Sequence, residues 1–153
     1  MFASHYAAYD RLTEGMKAML ADMKAVYTNA HTYGKDAARF KAGVSKAMSV
    51  QPAAVTEVAH PVIRTHPETG RKGLYLSPIH FSRFEGMTPE ESKPLFDTLV
   101  GHATQPEVTC RFRWKNGSVA MWDNRCTMHY AINDFSGVGR TMQRVTLEGD
   151  RPV

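Results

Sequence analysis

The residues of this sequence that are best placed to do chemistry lie between positions 122 and 144. This stretch, WDNRCTMHYAINDFSGVGRTMQR, predicts two short β-strands joined by a loop. His129 lies on the first predicted strand, and Arg140 and Arg144 lie on the second. Because side chains alternate between the two faces of a strand, the two arginines share a face and lie about 13 Å apart. The hairpin can therefore bring one imidazole and two guanidinium groups to the same side of a sheet.

That set of groups suits the binding of a metal ion and of carboxylates. A neutral imidazole is a good ligand for Fe(II), and a triad of two histidines and one carboxylate leaves open positions for oxygen and a chelating co-substrate. A guanidinium holds a carboxylate through two parallel hydrogen bonds, which a lysine cannot do. A dicarboxylate could thus chelate iron beside His129 while Arg140 holds its far end, which leaves Arg144 for an anionic substrate. On spacing alone the alternative also stays open, since a strand histidine is more often a hydrogen-bonded, half-buried residue than a ligand, and strand arginines usually face water.

The order of the motifs resembles one known family. The run WDN-R-x-T-x-H-Y-A, a loop, R-x-x-x-R and a final GDRP are similar to the C-terminal signature of the TauD/TfdA family of taurine and 2,4-dichlorophenoxyacetate dioxygenases. The likeness extends through residues 60–76, 83–92 and 110–124 and covers essentially the whole chain. These are Fe(II)- and 2-oxoglutarate-dependent oxygenases. The resemblance implies a mainly β fold with flanking helices, namely part of a double-stranded β-helix (a jelly roll of the clavaminate synthase-like type).

The resemblance also implies roles for individual residues. His129 would be an iron ligand, Arg140 would bind the far carboxylate of 2-oxoglutarate, and Arg144 would lie at the anionic group of the substrate. The substrate pocket would be lined by three further side chains, namely Tyr33, His80 and Trp122. Taken from the residues alone, Tyr33 could be a surface loop tyrosine and Trp122 an ordinary core residue.

One part of the family pattern is missing. The other two iron ligands of the family come from an upstream H-x-D motif, and no H-x-D occurs in this sequence. The H-x-E at positions 66–68 falls in a predicted turn, so we interpret it as a turn rather than as a ligand pair. We therefore expect residues 1–153 to form a single domain that is the C-terminal portion of such an enzyme. Because half of the β-helix would be absent, open strand edges and homo-oligomer formation are also expected.

Two functions remain open at this point. In the first, the protein hydroxylates a small anionic substrate, such as a sulfonate or an aryloxyalkanoate, with Fe(II), 2-oxoglutarate and O2, and it releases succinate and CO2. The iron site would then supply all of the catalytic chemistry. In the second, the chain is an inactive remnant that binds a small dicarboxylate or only associates with itself.

Composition limits the kinds of partner and the cellular location that we expect for the protein. At 153 residues with 42% hydrophobic content, the chain can form one domain with a core. The formal charge of +4 comes without a block of basic residues, so no nucleic-acid partner is expected. No apolar run is long enough to cross a membrane, so no membrane partner is expected. Cys110 and Cys126 are predicted to be buried, reduced thiols, which together with the lack of a signal peptide favours the cytoplasm.

The elements that must position the candidate site follow from local signals. Thr13 and Thr88 are predicted to begin helices, the second running to about residue 103. Asn116 and Gly117 predict a tight turn. A further helix is predicted over 4–11 and another over 35–47, and strands are predicted over 24–28, 55–65, 73–76 and 107–114.

Overall fold

The structure, a computed structural model, describes residues 1–33, 54–132, 134 and 141–153. Its helices are α1 (His5–Asp10), α2 (Glu14–Leu20), α3 (Ala30–Tyr33) and α4 (Pro89–Ala103), with a 3₁₀ turn at Pro106–Val108. Its strands are β1 (Phe2–Ser4), β2 (Lys24–Thr28), β3 (Glu57–Pro61), β4 (Ile63–Thr65), β5 (Lys72–Leu74), β6 (Phe81–Phe84), β7 (Thr109–Cys110) and β8 (Thr127–His129).

The strands form three small antiparallel sheets. Their orders are β7-β1-β8, β3-β2-β6 and β4-β5. In the first sheet, the short strand β1 pairs on both sides, so that Phe2 lies opposite Cys110 on one side and His129 on the other. The pairing continues one residue further, because the backbone N–H of Tyr130 donates to the carbonyl of Met1 at 2.9 Å. β1 therefore sets the position of the strand that carries His129.

A hydrophobic cluster holds the helices against the second and third sheets. The rings of Phe81 and Phe96 stack with their centroids 3.5 Å apart, which fixes α4 on β6. The buried members of the cluster are Ala8, Leu12, Leu20, Ala25, Tyr27, Val62, Ile63, Leu74, Leu76, Phe84, Phe96, Leu99 and Ala103. Met128 of β8 packs against this cluster, so the first sheet rests on the same core.

The local signals for helix starts are confirmed. The Thr13 side chain accepts a hydrogen bond from the backbone of Met16 at 3.3 Å, and Thr88 and Glu91 form a reciprocal capping box. The helix predicted over 4–11 is present as α1, and the strand predicted over 24–28 is present as β2. The helix starts are confirmed because their signals lie within a few residues of one another, whereas β2 is confirmed because β3 and β6 pair with it on either side.

Several strand predictions are wrong. The strand predicted over 107–114 is reduced to β7, and residues 141–144, which were to carry Arg144 on a second hairpin strand, have no regular structure. The strand predicted over 55–65 is broken at Val62, which is fully buried and whose N–H donates to the carbonyl of Met23. An alternating pattern becomes a strand only when another strand accepts its hydrogen bonds, and 111–114 and 141–144 have no such neighbour in the described part of the chain.

Other differences concern single elements. The strand predicted over 73–76 is β5 and ends at Leu74, and β6 was not predicted from the sequence. The helix predicted over 35–47 lies outside the described residues. Cys110 is exposed and Cys126 is half-buried, so the prediction that both are buried is wrong, although both thiols are free. The turn predicted at 116–117 is confirmed, since the N–H of Ser118 donates to the carbonyl of Lys115.

A buried hydroxyl joins α4 to β6 and gives a test of this packing. Ser92 is fully buried, and its Oγ accepts a hydrogen bond from the backbone N–H of Phe84 at 2.9 Å. Ser92→Ala would leave that N–H buried without a partner, so we expect the free energy of unfolding to fall by about 1–3 kcal/mol. Urea denaturation followed by circular dichroism measures this loss.

Thr98→Ala is the matched control, because the Thr98 hydroxyl bonds the carbonyl of Pro94 in the same helix but lies at the surface. It should change the free energy of unfolding by about 0.5 kcal/mol or less. Equal effects of the two substitutions would show that the Ser92 bond does not hold β6 to α4.

Candidate functional site

His129 lies in a small aromatic cluster on the first sheet. Its ring centroid is 5.1 Å from that of Trp122 and 6.4 Å from that of Phe2, and the rings of Phe2 and Trp122 are themselves 5.1 Å apart. Met128 packs on the hydrophobic core, and side chains alternate along β8, so His129 points to the opposite face. Residues far apart in sequence thus place the imidazole against two apolar rings with one side open to solvent.

The surroundings of His129 favour a neutral ring. Partial burial against its aromatic neighbours lowers its pKa, and the positive charges of Arg144 and of the N-terminal amino group act in the same direction. A neutral imidazole has a nitrogen lone pair that can bind a metal ion, whereas imidazolium has none. The ring is therefore neutral at neutral pH.

Arg144 lies on an exposed segment that is anchored beyond it. Residues 141–150 are exposed and form no helix or strand, but Asp150 and Val153 are tied to β4. Nη2 of Arg64 donates to Oδ2 of Asp150 at 2.6 Å, and the N–H of Thr65 donates to the carbonyl of Val153 at 2.9 Å. The positive charge of Arg144 is one of the causes that lower the pKa of His129.

Beside β8, a network of charged groups joins three segments of the chain. Arg125 forms a two-pronged pair with the carboxylate of Asp123, and it also reaches Glu68 at 2.8 Å and Asp150 at 3.5 Å. Hydrogen bonds from Arg125 hold the pKa of the Asp123 carboxyl well below its usual range. The buried Arg64 closes the network through Asp150. The turn before β8, the turn after β4 and the C-terminal segment are thereby fixed to one another.

Within the described ranges, one group of side chains has the composition of a metal site. Ligand atoms of His66, Asp123 and Cys126 lie within 4.8 Å of one another. The His66 Nδ1 accepts from the backbone N–H groups of Glu68 and Thr69, so its Nε2 carries the proton and donates to Asp123 at 3.1 Å. Since the carboxylate is also paired with a guanidinium, these atoms satisfy one another and form a structural clamp rather than a metal site.

The sequence comparison identifies the family of the chain. The model of the family described as "Taurine catabolism dioxygenase TauD, TfdA family" matches residues 1–146. The chain belongs to this family.

Two curated TauD/TfdA relatives show the similarity in detail. The alpha-ketoglutarate-dependent sulfate ester dioxygenase of Pseudomonas putida is 38% identical over 159 residues, which is 100% of this chain and 51% of that protein. The alpha-ketoglutarate-dependent 2,4-dichlorophenoxyacetate dioxygenase of Burkholderia sp. (strain RASC) is 36% identical over 150 residues, covering 98% of this chain and 48% of that protein. The chain therefore spans about half the length of the curated relatives it matches.

A solved structure shows the same fold. AAD-2, determined in complex with Mn(II) and N-oxalylglycine, is 30% identical and superposes with a TM-score of 0.63, covering 82% of this chain and 43% of that chain. The expectation of a jelly-roll-like architecture, mostly β with a few helices, is thus confirmed. No helix among the described residues of this TauD/TfdA chain is long and apolar enough to cross a membrane.

The remaining candidate residues lie in different places. His80 lines a cavity of about 240 Å³ together with Tyr27, His60 and Tyr75, and its Nδ1 is 3.0 Å from the Ser77 hydroxyl. Tyr33 ends α3 with an exposed side chain and does not line that cavity. Trp122 contacts His129 and borders a separate apolar groove. Arg140 lies outside the described residues.

Sequence reasoning missed the network that holds the site in place. Arg64 and Asp150 are 86 positions apart, so no spacing rule connects them. The sequence contained one hint of this network, the GDRP motif at the end of the chain. Its aspartate, Asp150, can hold the C-terminal segment in place only by pairing with a cationic side chain elsewhere in the chain. The interpretation of 66–68 as a turn is confirmed, since the N–H of Gly70 donates to the carbonyl of His66 at 2.9 Å.

The Arg64–Asp150 pair predicts an asymmetric response to mutation. Arg64 is only 4% exposed, whereas a third of the Asp150 side chain reaches solvent. Asp150→Asn would leave a buried guanidinium without its main partner, at a cost of about 3 kcal/mol, whereas Arg64→Met would leave a carboxylate that water can solvate. We expect Asp150→Asn to lower the free energy of unfolding more than Arg64→Met does, as measured by urea titration.

Asp10→Asn is the control, because the Asp10–Arg71 pair lies at the surface with both side chains more than half exposed. It should cost about 0.5 kcal/mol or less. If Arg64→Met were the more damaging of the two network variants, the burial argument would be wrong.

His5 predicts a loss of stability in mild acid. The side chain is 2% exposed, and burial lowers its pKa from 6.5 to about 4, with the charge of Arg64 acting in the same direction and the backbone of Arg125 opposing it. Between those pH values the unfolded chain binds a proton that the folded chain does not. The free energy of unfolding should therefore fall by up to about 3 kcal/mol from this residue as the pH drops through that range.

Urea titrations at pH 7 and pH 4.5 test this, with His5→Gln as the variant and the exposed His31→Gln as the control. The His5 variant should reduce the difference between the two pH values without removing it, because the pKa values of His60 and His129 are lowered as well. An unchanged difference would mean that His5 does not carry the acid sensitivity.

Proposed function

We propose that this chain forms the His129-bearing part of an Fe(II)- and 2-oxoglutarate-dependent dioxygenase that hydroxylates a small anionic organic substrate and releases succinate and CO2. Family membership supports this proposal. The names of two relatives support the substrate class, because a sulfate ester and 2,4-dichlorophenoxyacetate each join an acidic group to an organic body. A cytoplasmic location and a homo-oligomer belong to the same proposal.

The observation that carries the proposal is the neutral imidazole of His129 near the positive charge of Arg144, which forms no ion pair with another described residue. His129 would bind the metal, and the Trp122 and Phe2 rings would wall the pocket and exclude water from one side. Arg144 would hold the anionic group of the substrate, since its guanidinium can form paired hydrogen bonds with a carboxylate or a sulfate. Arg140 would bind the far carboxylate of 2-oxoglutarate, and His80 and Tyr33 would contact the body of the substrate.

The described residues fit the metal only in part. His129 offers one ligand, and the described side chains that could hold a metal together are those of the clamp at His66, Asp123 and Cys126, where His66 and Asp123 are already hydrogen-bonded to each other. Metal affinity is built from several ligands held together, so one imidazole alone binds Fe(II) weakly. The remaining ligands would come from polypeptide outside the described residues.

A second candidate function follows from that single ligand. A chain that lacks the H-x-D pair can still bind a small dicarboxylate through Arg140 and Arg144 without turning it over. This remnant function predicts anion binding that does not depend on a metal. The dioxygenase function predicts that metal and anion bind at neighbouring positions around His129.

Paramagnetic broadening by Mn(II) distinguishes the two functions, because it detects weak metal binding. In NMR spectra of the purified chain, Mn(II) should broaden the indole N–H resonance of Trp122 before other resonances, since that ring lies 5.1 Å from the His129 ring. His129→Ala should abolish the selective broadening, and His31→Ala, which removes an exposed histidine elsewhere, should not. N-oxalylglycine, added as an unreactive analogue of 2-oxoglutarate, should strengthen the effect.

Three results would count against the dioxygenase proposal. Broadening centred on Cys126 and Asp123 would mean that the clamp is the metal site. Equal broadening in both variants would mean that His129 does not bind the ion. Shifts caused by N-oxalylglycine that are the same with and without Mn(II) would favour the remnant function.

A further inference from the structure

The ring of His129 lacks the kind of hydrogen bond that usually orients a metal-binding histidine. In metal sites, the ring nitrogen that does not bind the ion almost always donates to a carboxylate, a carbonyl or water, and this bond fixes the direction of the other nitrogen. Neither ring nitrogen of His129 forms a hydrogen bond with another described residue, and the side chain is exposed on the face of β8 away from the core. Its direction therefore depends on the rings that pack against it.

Trp122 packs closest to that imidazole. Its ring centroid lies 5.1 Å from that of His129 at an interplanar angle of 55°, compared with 6.4 Å and 40° for Phe2. Residues 118–123 form no helix or strand, so no backbone ladder fixes the place of the indole. Phe2 contacts the indole at 5.1 Å, but a ring held by one apolar contact can still rotate about its two side-chain torsions.

A hydrogen bond to Asn124 adds the missing restraint on the indole. The Nε1–H of Trp122 donates to Oδ1 of Asn124 at 2.9 Å. Because a hydrogen bond is directional, this contact at the edge of the ring and the Phe2 contact together favour a single orientation of the indole. The imidazole of His129 then packs against a fixed surface rather than against a rotating one.

The turn that contains Asn124 does not need the side chain of that residue. The N–H of Cys126 donates to the carbonyl of Asp123 at 3.3 Å, and the N–H of Arg125 donates to Oδ1 of Asp123 at 2.7 Å. Asp123 thus closes the turn through its backbone and its carboxylate, and its ion pair with Arg125 holds it in place. Asn124 is exposed, and within the described ranges its amide oxygen accepts from Trp122 alone.

We propose that Asn124 is a positioning residue that fixes the indole of Trp122 and, through it, the direction of the His129 imidazole. Ring packing then does for His129 what a hydrogen-bonded carboxylate or carbonyl does for other metal-binding histidines. The consequence for the metal rests on the proposed function. A ring that is already held in one direction loses less conformational freedom when it binds an ion, so it binds the ion more tightly.

Asn124→Leu tests the proposal in the metal-free chain, because it keeps the approximate size of the side chain and removes the acceptor. In NMR relaxation measurements, the order parameter of the Trp122 indole N–H should fall from the value of a rigid group, about 0.85, to below about 0.6. The nuclear Overhauser effects between the ring protons of Trp122 and His129 should weaken as well. Asn124→Asp keeps an Oδ acceptor and should retain both signals.

Asn116→Leu is the matched control. Asn116 is also an exposed asparagine in a turn, and its side chain forms no hydrogen bond in the part of the chain that the structure describes. This substitution should leave the order parameter of Trp122 and the ring-to-ring signals unchanged, and circular dichroism verifies that all three variants fold. Unchanged signals in Asn124→Leu, or equal loosening of the rings in Asn116→Leu, would overturn the proposal.

Mn(II) titrations separate this inference from the dioxygenase function. Asn124→Leu should need about tenfold more Mn(II) than the wild type for the same broadening of the His129 ring resonances, which is the lower end of the effect of groups that orient a metal-bound histidine. If the rings loosen but His129→Ala leaves Mn(II) binding unchanged, Asn124 still positions the rings and the metal function is wrong. If Mn(II) binds at His129 equally well in the wild type and in Asn124→Leu, the positioning role is overturned.

Discussion

The candidate site depends on a buried guanidinium that must be neutralised. Arg64 is 4% exposed, and a charge in that position is tolerated only when an opposite charge is held against it. Asp150 meets this requirement from the far end of the chain, and Arg125 shares the same carboxylate. Because Arg125 is also paired with Asp123, the turn that leads into β8 is fixed by the same set of charges. One set of charges therefore holds the turn before β8 and the C-terminal end of the segment that contains Arg144.

The charges that hold the site together also set its chemistry. The carboxylate of Asp123 is fully engaged by Arg125 and His66, so it offers no lone pair to a metal. Arg144 has no such partner among the ion pairs of the described residues, and its charge acts on His129. The carboxylate of Asp123 thus stabilises the fold, whereas the neutral imidazole of His129 and the cationic side chain of Arg144 remain accessible to solvent. That distribution suits a site for a metal ion and acidic small molecules.

How much could be predicted from the sequence depended on the range of each signal. The caps at Thr13 and Thr88, the turn at 116–117 and strand β2 were predictable because each rests on neighbouring residues or on a buried pattern. The strands over 111–114 and 141–144 were not, because alternation shows which faces could be buried and not whether a neighbour exists.

For the candidate site, too, the contacts that could be predicted were those between residues close together in the sequence. The closeness of Trp122 to His129 was accessible because both belong to one predicted hairpin, and the structure brings their rings together. The Arg64–Asp150 pair joins segments 86 positions apart, and no pattern within either segment reveals the other. The role of Arg144 was predicted on a strand that is not formed. Residues 141–144 form no strand, so the surroundings of Arg144 could not be derived from strand geometry.

Strand pairing in the first sheet bears directly on the site. Each strand is held in place by hydrogen bonds to its neighbours, and within the described ranges β8 has one neighbour, β1. Side chains alternate along β8, so the pairing of Phe2 with His129 fixes the face on which the imidazole lies. A shift of that register by one residue would turn His129 toward the core and Met128 away from it. The register of one three-residue strand therefore decides on which face of the sheet the imidazole lies.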